Sequence, residues 1–295
     1  MKASFDCIPC LIRQTIDAAR LGTDNENLQR QVLDRVMQYL QSMDYQLSPP
    51  EIGKQIFKII HDLTGCTDPY RELKLQYNTV ALENYNAFKR QVYLNEDPVL
   101  LAAKLAVSGN LPELSASGGE SNIERILNDT HRQIFAIDKY ALFLEDLKTT
   151  RHILYLADNA GEIVFDKLFI EVLQRFYPER NHKFTVVVRG APIINDATME
   201  DARLINLDKI ARVIDNGDSA PATLLHGVSE QVRSSYHKAD LIISKGQGNW
   251  ESLHGEKKLI YFLLKVRCPL ISSTLKVNEG SLVFERSDTA VQEVL

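Results

Sequence analysis

Ile153-Leu154-Tyr155-Leu156-Ala157-Asp158-Asn159-Ala160-Gly161-Glu162 is the stretch whose reading decides the fold. Its first half is an unbroken apolar run of strand length. Its second half turns abruptly polar and carries a glycine. Such a run fits a strand buried on both faces of a parallel sheet. Residues 162–176 follow with Ile163, Leu168 and Val172 on one helical face. Similar apolar runs recur at 184–188, 211–214, 240–244 and 259–264, with helical stretches at 198–205 and 223–232 between them. Regular alternation of strand and helix predicts an α/β, doubly wound, three-layer domain with a mostly parallel sheet.

Upstream the pattern is different. Residues 8–20, 25–43, 50–63, 70–94 and 98–107 each place apolar side chains at i, i+3 and i+4, and 121–135 and 139–147 read as shorter helices. Ser48-Pro49-Pro50-Glu51 and Gly65 bracket the third helix, and Asp68-Pro69 and Asp97-Pro98 open the fourth and fifth. The predicted organisation is an all-helical domain over 1–148 and an α/β catalytic domain over 149–295.

The whole chain has 295 residues, 44% of them hydrophobic and 25% charged, which excludes a disordered or fibrous protein. Its 34 basic and 39 acidic side chains leave a formal charge of −5, so the broad basic footprint of a nucleic-acid binder is absent. No apolar run is long enough to span a membrane. Asp6, Arg13 and Asp17 interrupt any secretory core, and the four cysteines are too few for a disulfide scaffold. A reducing cytoplasm is the expected location.

In an open α/β sheet, ligands bind beyond the carboxyl ends of the strands. Here those ends read Asp158-Asn159-Ala160-Gly161-Glu162, Arg189-Gly190-Ala191-Pro192 followed by Asn195-Asp196, Asp215-Asn216-Gly217-Asp218, and Ser244-Lys245-Gly246-Gln247-Gly248-Asn249. Each is also an acceptable turn or helix cap by itself. Together they gather hard oxygen donors suited to a divalent cation beside cationic and backbone N–H groups suited to phosphate. Lys265, at the end of an apolar run, is a second cation for the same crevice. Gly246-Gln247-Gly248 does not complete a dinucleotide fingerprint, because Glu251 occupies the last glycine position.

Cys7-Ile8-Pro9-Cys10 lacks both a preceding strand, as a redox motif would have, and a second pair, as a zinc site would have. Cys7, Cys10 and Cys268 therefore stand as accessory thiols without an assigned role.

The combination resembles the damage-control phosphatases, first described as domain of unknown function eighty-nine. The matching stretches are Asp6-Cys7-Ile8-Pro9-Cys10, Gly109-Asn110, Leu156–Glu162, Arg189–Thr198, Asp215-Asn216-Gly217, Ser244–Glu251 and Leu263–Cys268. The Cys-x-x-Cys start resembles the shorter prokaryotic branch. After Asn110 that branch usually continues with Ile-Asp and a glycine, whereas this chain has Leu111-Pro112-Glu113-Leu114. The resemblance implies a helical domain ahead of a Rossmann-like one, and metal-dependent removal of phosphate from small phosphorylated metabolites. It further implies one divalent cation (Mn, Mg, Co or Ni) on Asp158, Asn159 and Asp196. It puts Lys265 at the phosphate, and Asn110 with the Lys245–Asn249 turn at the substrate. On this reading Asp158 either attacks phosphorus or positions a water, and the partner is a small phosphorylated substrate, with no nucleic acid and no membrane. Two rival readings use the same crevice: a non-catalytic phosphometabolite binder, and a Rossmann-like transferase.

Overall fold

The computed structural model describes residues 1–108 and 120–287. Helices α1 (Cys7–Gly22), α2 (Glu26–Gln41), α3 (Pro49–Thr64), α4 (Arg71–Glu83), α5 (Tyr85–Tyr93), α6 (Pro98–Ser108) and α7 (Glu120–Arg132) lead into strand β1 (Phe135–Asp138) and α8 (Tyr140–Leu147). There follow β2 (His152–Leu156), α9 (Glu162–Phe176), β3 (Lys183–Val188), α10 (Met199–Leu204) and β4 (Arg212–Asp215). The last third holds α11 (Glu230–Lys238), β5 (Leu241–Lys245), α12 (Gln247–Leu253), β6 (Ile260–Lys265), α13 (Pro269–Leu275) and β7 (Leu282–Arg286).

Local chemistry sets several of these boundaries. Ser48 and Glu51 form a capping box over the prolines that open α3, and Gly65 closes the helix at φ +70°. Asn25 caps α2 by accepting from the N–H groups of Asn27 and Leu28. The predicted helix over 70–94 breaks in two at Asn84, whose side-chain amide donates to the Val80 carbonyl at 2.7 Å. That side-chain bond competes with the helical ladder. The helix predicted over 223–232 begins only at Glu230. Thr223 is held outside it, its N–H donating to Asn249 Oδ1 at 2.8 Å, and Ser229 provides the actual cap.

The sheet runs β1-β7-β6-β5-β2-β3-β4, all parallel except the antiparallel β6–β7 pair. Its two outermost additions on one side, β1 and β7, are strands that the apolar runs did not predict. Residues 135–138 lie inside the stretch expected to be wholly helical, yet they pair with β7. Strand alternation divides the core. Ile153, Tyr155, Val186, Val188, Leu241 and Ile243 face α6, α8 and α9 in one apolar layer. Leu154, Leu156, Val187, Ile242, Phe262 and Leu264 face α11, α12 and α13 in another. Helices α1–α3 build a third cluster around Val32, Val36, Ile52 and Ile56, joined by Ile193 from the loop after β3. Among the described residues no helix is long and apolar enough to cross a membrane.

Chain order reverses at β2: β3 and β4 extend the sheet to one side, β5 and β6 to the other. A crevice outside the carboxyl ends of β2 and β5 is the geometric consequence.

Candidate active site

Asp158 is the first residue past the β2–Ala157 extension, at the reversal point. The loop after β3 folds back across it. Ala197 N–H donates to the Asp158 carbonyl at 2.7 Å, and Ala160 N–H donates to the Asn195 carbonyl at 2.8 Å. This two-stranded bridge pairs Asn159 with Asp196, so residues 37 apart in sequence become neighbours. Helix α4 anchors both loops from outside the sheet. Asn78 accepts from Gly161 N–H at 2.6 Å and donates to Asp201 Oδ1 at 2.8 Å, while buried Lys74 pairs with Asp68 at 2.7 Å and lies 3.7 Å from Asp201. Asp201 in turn forms the capping box with Thr198 at the start of α10.

Between the two aspartates lies Arg189, at 1% exposure. Its Nε donates to Asp196 Oδ2 at 2.6 Å and its Nη2 stands 3.7 Å from Asp158 Oδ1. Behind Asp158 runs a second ionic group. Lys245 Nζ is 2.7 Å from Asp166 Oδ1 and 3.8 Å from Glu162 Oε2, and it also donates to the Ala106 carbonyl at the end of α6. Tyr155 donates to the same Asp166 oxygen at 2.7 Å. The cluster thus gathers four carboxyl groups (Asp158, Asp196, Glu162, Asp166) around two buried cations (Arg189, Lys245), with Lys74 acting on Asp196 and Arg267 on Glu162 from further out. Burial pushes the Asp158 carboxyl well above its ordinary range, and Asp196 and Glu162 push it further. Burial also raises Asp196, Glu162 and Asp166, with Arg189 or Lys245 pulling each back. For Lys245, burial works against the ammonium, but Asp166 and Glu162 outweigh it and its pKa rises.

A cavity of about 500 Å³ opens in front of these acids. One wall is the sheet edge: Asp158, Asn159, Glu162, Asp196, Gln247, Gly248 and Arg267. The opposite wall is the start of α1 and of α3. Cys7, Cys10 and Cys268 all line this cavity, although Cys268 lies more than two hundred residues along the chain from the other two. Burial raises the Cys10 thiol, with Cys268, Glu251 and Cys7 adding to the rise. Glu251 itself is pushed up to about 7 by burial. The cysteines are free thiols.

The structure therefore brings together Asp158, Asn159, Asp196, Gln247 and Gly248. Other expected residues fall elsewhere. Lys245 is buried behind the acids, its ammonium already engaged, rather than on the crevice. Asn249 is fully buried and structural, donating to the carbonyls of Lys245 and Ala157 while accepting from Thr223. Ser244 is buried too. Gly246 adopts φ +79° and lies so close to Asp158 that a Cβ there would overlap its carboxylate. Lys265 is half-buried at the end of β6 and is not among the lining residues. Asn110 lies outside the described residues. Arg267 and Glu162, which line the crevice, and Arg189, buried between its two aspartates, are groups to which the sequence pattern gave no role. All three stand within two residues of a strand's carboxyl end or begin the following helix, so the strand-end rule is the signal that could have found them.

The donor set fits a hard divalent cation. Asp158, Asn159 and Asp196 offer oxygen atoms, and the crowding of Asp158 by Asp196 and Glu162 is of the kind such an ion relieves. Among the described residues no three His, Cys, Asp or Glu side chains converge as a ready ligand set. The third oxygen in this arrangement belongs to an amide.

Comparison with known proteins follows the same lines. Residues 3–283 match the damage-control phosphatase ARMT1-like domain. A damage-control phosphatase of Pyrococcus horikoshii is 32% identical over 293 residues, covering 97% of this chain and 99% of its own. A damage-control phosphatase of Archaeoglobus fulgidus is 33% identical over 292 residues, covering 96% and 98%. The crystal structure of a DUF89 family protein from Pyrococcus horikoshii superposes with a TM-score of 0.90 at 31% identity, covering 98% of this chain and all of that one. The chain belongs to the damage-control phosphatase ARMT1-like family, the group also called DUF89.

Proposed function

We propose that this protein is a divalent-metal-dependent phosphomonoesterase acting on small phosphorylated metabolites, sugar phosphates among them. The observation that carries the proposal is the cluster of four carboxyl groups around two buried cations; of these carboxyls, Asp158, Glu162 and Asp196 line a crevice whose rim carries Arg267. Relatives named damage-control phosphatases support the same reading. Asp158, Asn159 and Asp196 would hold the cation. When bound, such an ion polarises a phosphoryl oxygen and offsets charge on the transferring group. The remaining work falls to side chains. Arg189 keeps Asp196 fixed through its 2.6 Å bond. Asp158, held between Asn159 and Arg189, is placed to attack phosphorus or to orient a water toward it. Arg267 meets the phosphate charge at the rim. A volume of about 500 Å³ suits a ligand of sugar-phosphate size.

The test is phosphate release from an aryl phosphate and a panel of phosphorylated metabolites, with Mn²⁺, Mg²⁺, Co²⁺ or Ni²⁺ and with chelator. Turnover that requires a divalent ion is expected. Absence of release with every ion, or full activity in chelator, defeats the reading.

Two cations compete for the phosphate, and their positions give different outcomes. Arg267→Ala is expected to raise KM about tenfold, the scale of one charged hydrogen bond. Lys265→Ala, away from the lining, is expected to leave KM nearly unchanged. Steady-state kinetics on the two variants checks this, and the reverse ranking would return the phosphate to Lys265.

A further inference from the structure

Of the three residues proposed to hold the cation, Asn159 is the one whose usefulness depends on which way it faces. Its amide oxygen suits a cation, whereas its NH₂ would repel one. In this structure Nδ2 donates to Asp158 Oδ2 at 2.8 Å and to Glu162 Oε1 at 3.3 Å. Both acceptors are carboxyl oxygens, and in their ionised forms, the ones that accompany a bound cation, they accept only, so nitrogen, not oxygen, faces them. Oδ1 is left without a hydrogen-bond partner among the described residues, on a side chain that lines the crevice.

Glu162 is itself held from behind. It opens α9 directly after Gly161, whose N–H is fixed by Asn78. Its second oxygen lies 3.8 Å from Lys245 Nζ, and Lys245 is immobilised by Asp166, at 2.7 Å, and by the Ala106 carbonyl. Neither Glu162 nor Lys245 is needed to contact the substrate for this arrangement to matter.

We propose that Glu162, backed by Lys245, is a positioning residue that locks the Asn159 amide with its oxygen toward the crevice. The inference rests on the reading that Asp158, Asn159 and Asp196 hold a divalent cation. Partners that orient a ligand typically contribute about 10–100-fold in metal affinity. Lys245, expected from sequence to meet the substrate, instead sets the orientation of a ligand two side chains away.

Two variants that preserve net charge test this, with Mn²⁺ affinity read by calorimetry and folding checked by thermal melts in chelator. Glu162→Asp keeps the charge but shortens the side chain by one methylene, out of reach of Asn159. It is expected to bind Mn²⁺ about 10–100-fold more weakly than the wild type. The double variant Asn159→Asp with Glu162→Gln exchanges donor and acceptor, because a carboxylate at position 159 has no nitrogen to misdirect. Its affinity is expected within about threefold of the wild type, well inside the loss that orientation controls. If only the charge of Glu162 mattered, Glu162→Asp would bind normally, and that result overturns the proposal. If Glu162 bound the ion directly, the double variant would stay weak, which also overturns it. Should Glu162→Asp fail to fold, Glu162→Gln replaces it: its amide oxygen can still accept from Asn159 without the charge, so affinity within about threefold of the wild type is expected, and a loss of about tenfold or more, the mark of charge alone, overturns the proposal. A wild type that binds no Mn²⁺ at all would instead defeat the metal-dependent reading beneath it.

Discussion

Asp158→Ala is expected to lower metal-dependent phosphate release by about 10³-fold or more, the scale of losing a group that acts directly on the transition state. Two roles converge on this side chain. On the proposed reading it would share the cation with Asn159 and Asp196, and it would be the carboxylate that acts on phosphorus or its water. The same change should not weaken the cation-free fold. Burial and the crowding by Asp196 and Glu162 outweigh the contacts of Asp158 with Arg189 and Asn159, so its removal relieves more than it breaks. Kinetics and melting in chelator separate the two effects: activity lost with the melting temperature unchanged or raised. Wild-type turnover in Asp158→Ala would remove the site from this crevice altogether.

Gly246→Ala is the second large effect, through geometry alone. Gly246 follows β5 with φ +79° and ψ 166°, a conformation reserved almost wholly for glycine. Adopting it with a side chain costs about 1–3 kcal/mol. A Cβ would also overlap the Asp158 carboxylate, and neither side yields easily. β2 and β5 are hydrogen-bonded neighbours, with Leu156 opposite Ser244, and Asp158 is further fixed by the bridge to Ala197. The expected result is on the order of a 100-fold loss of activity, as for a misplacement of about 1 Å at a reacting group. A fall in melting temperature of several degrees should accompany it. Gly255→Ala, where an added Cβ meets nothing within 4 Å, is the matching control and should be silent in both measurements.

Much of this arrangement was legible in the chain. The run at 153–157 and the polar turn after it were decisive, because a strand buried on both faces has few alternatives once a helix follows it. Asp158, Asn159 and Asp196 were reached by one rule about strand ends, and the bridge between Asn159 and Asp196 shows why residues far apart obeyed it together. β1 was hidden because residues 135–138 directly follow an amphipathic helix and extend its apolar periodicity by a few residues. Its pairing partner, β7, lies some 145 residues away, a distance no local pattern registers. Lys245 shows the limit most clearly. A lysine at a strand end looks like an anion binder, and only the positions of Asp166, Glu162 and the end of α6 reveal that its charge is already engaged. Arg267 was overlooked for the opposite reason: it stands two residues beyond the strand, where the chain has begun to turn over the crevice. The three thiols could not be assembled without topology, since α1 and the loop after β6 meet only in the folded chain.

The cluster built by α1–α3 has its own apolar interior, and it meets the loop after β3 through Ile193 and Ile194 and the start of α13 through Leu270. The acids stand on the other side of the cavity, on loops that the sheet and α4 hold in place. The molecule thus works like a vice with one fixed jaw and one exchangeable jaw. If the crevice is the substrate site, a change at Gln14 would alter what it admits while the fixed jaw keeps its charges in register, whereas Leu11 belongs to the apolar interior and an added Cβ at Gly53 would stand 3.1 Å from Pro221. On the proposed reading, a fold divided in this way would change what it accepts without relearning how to react with it.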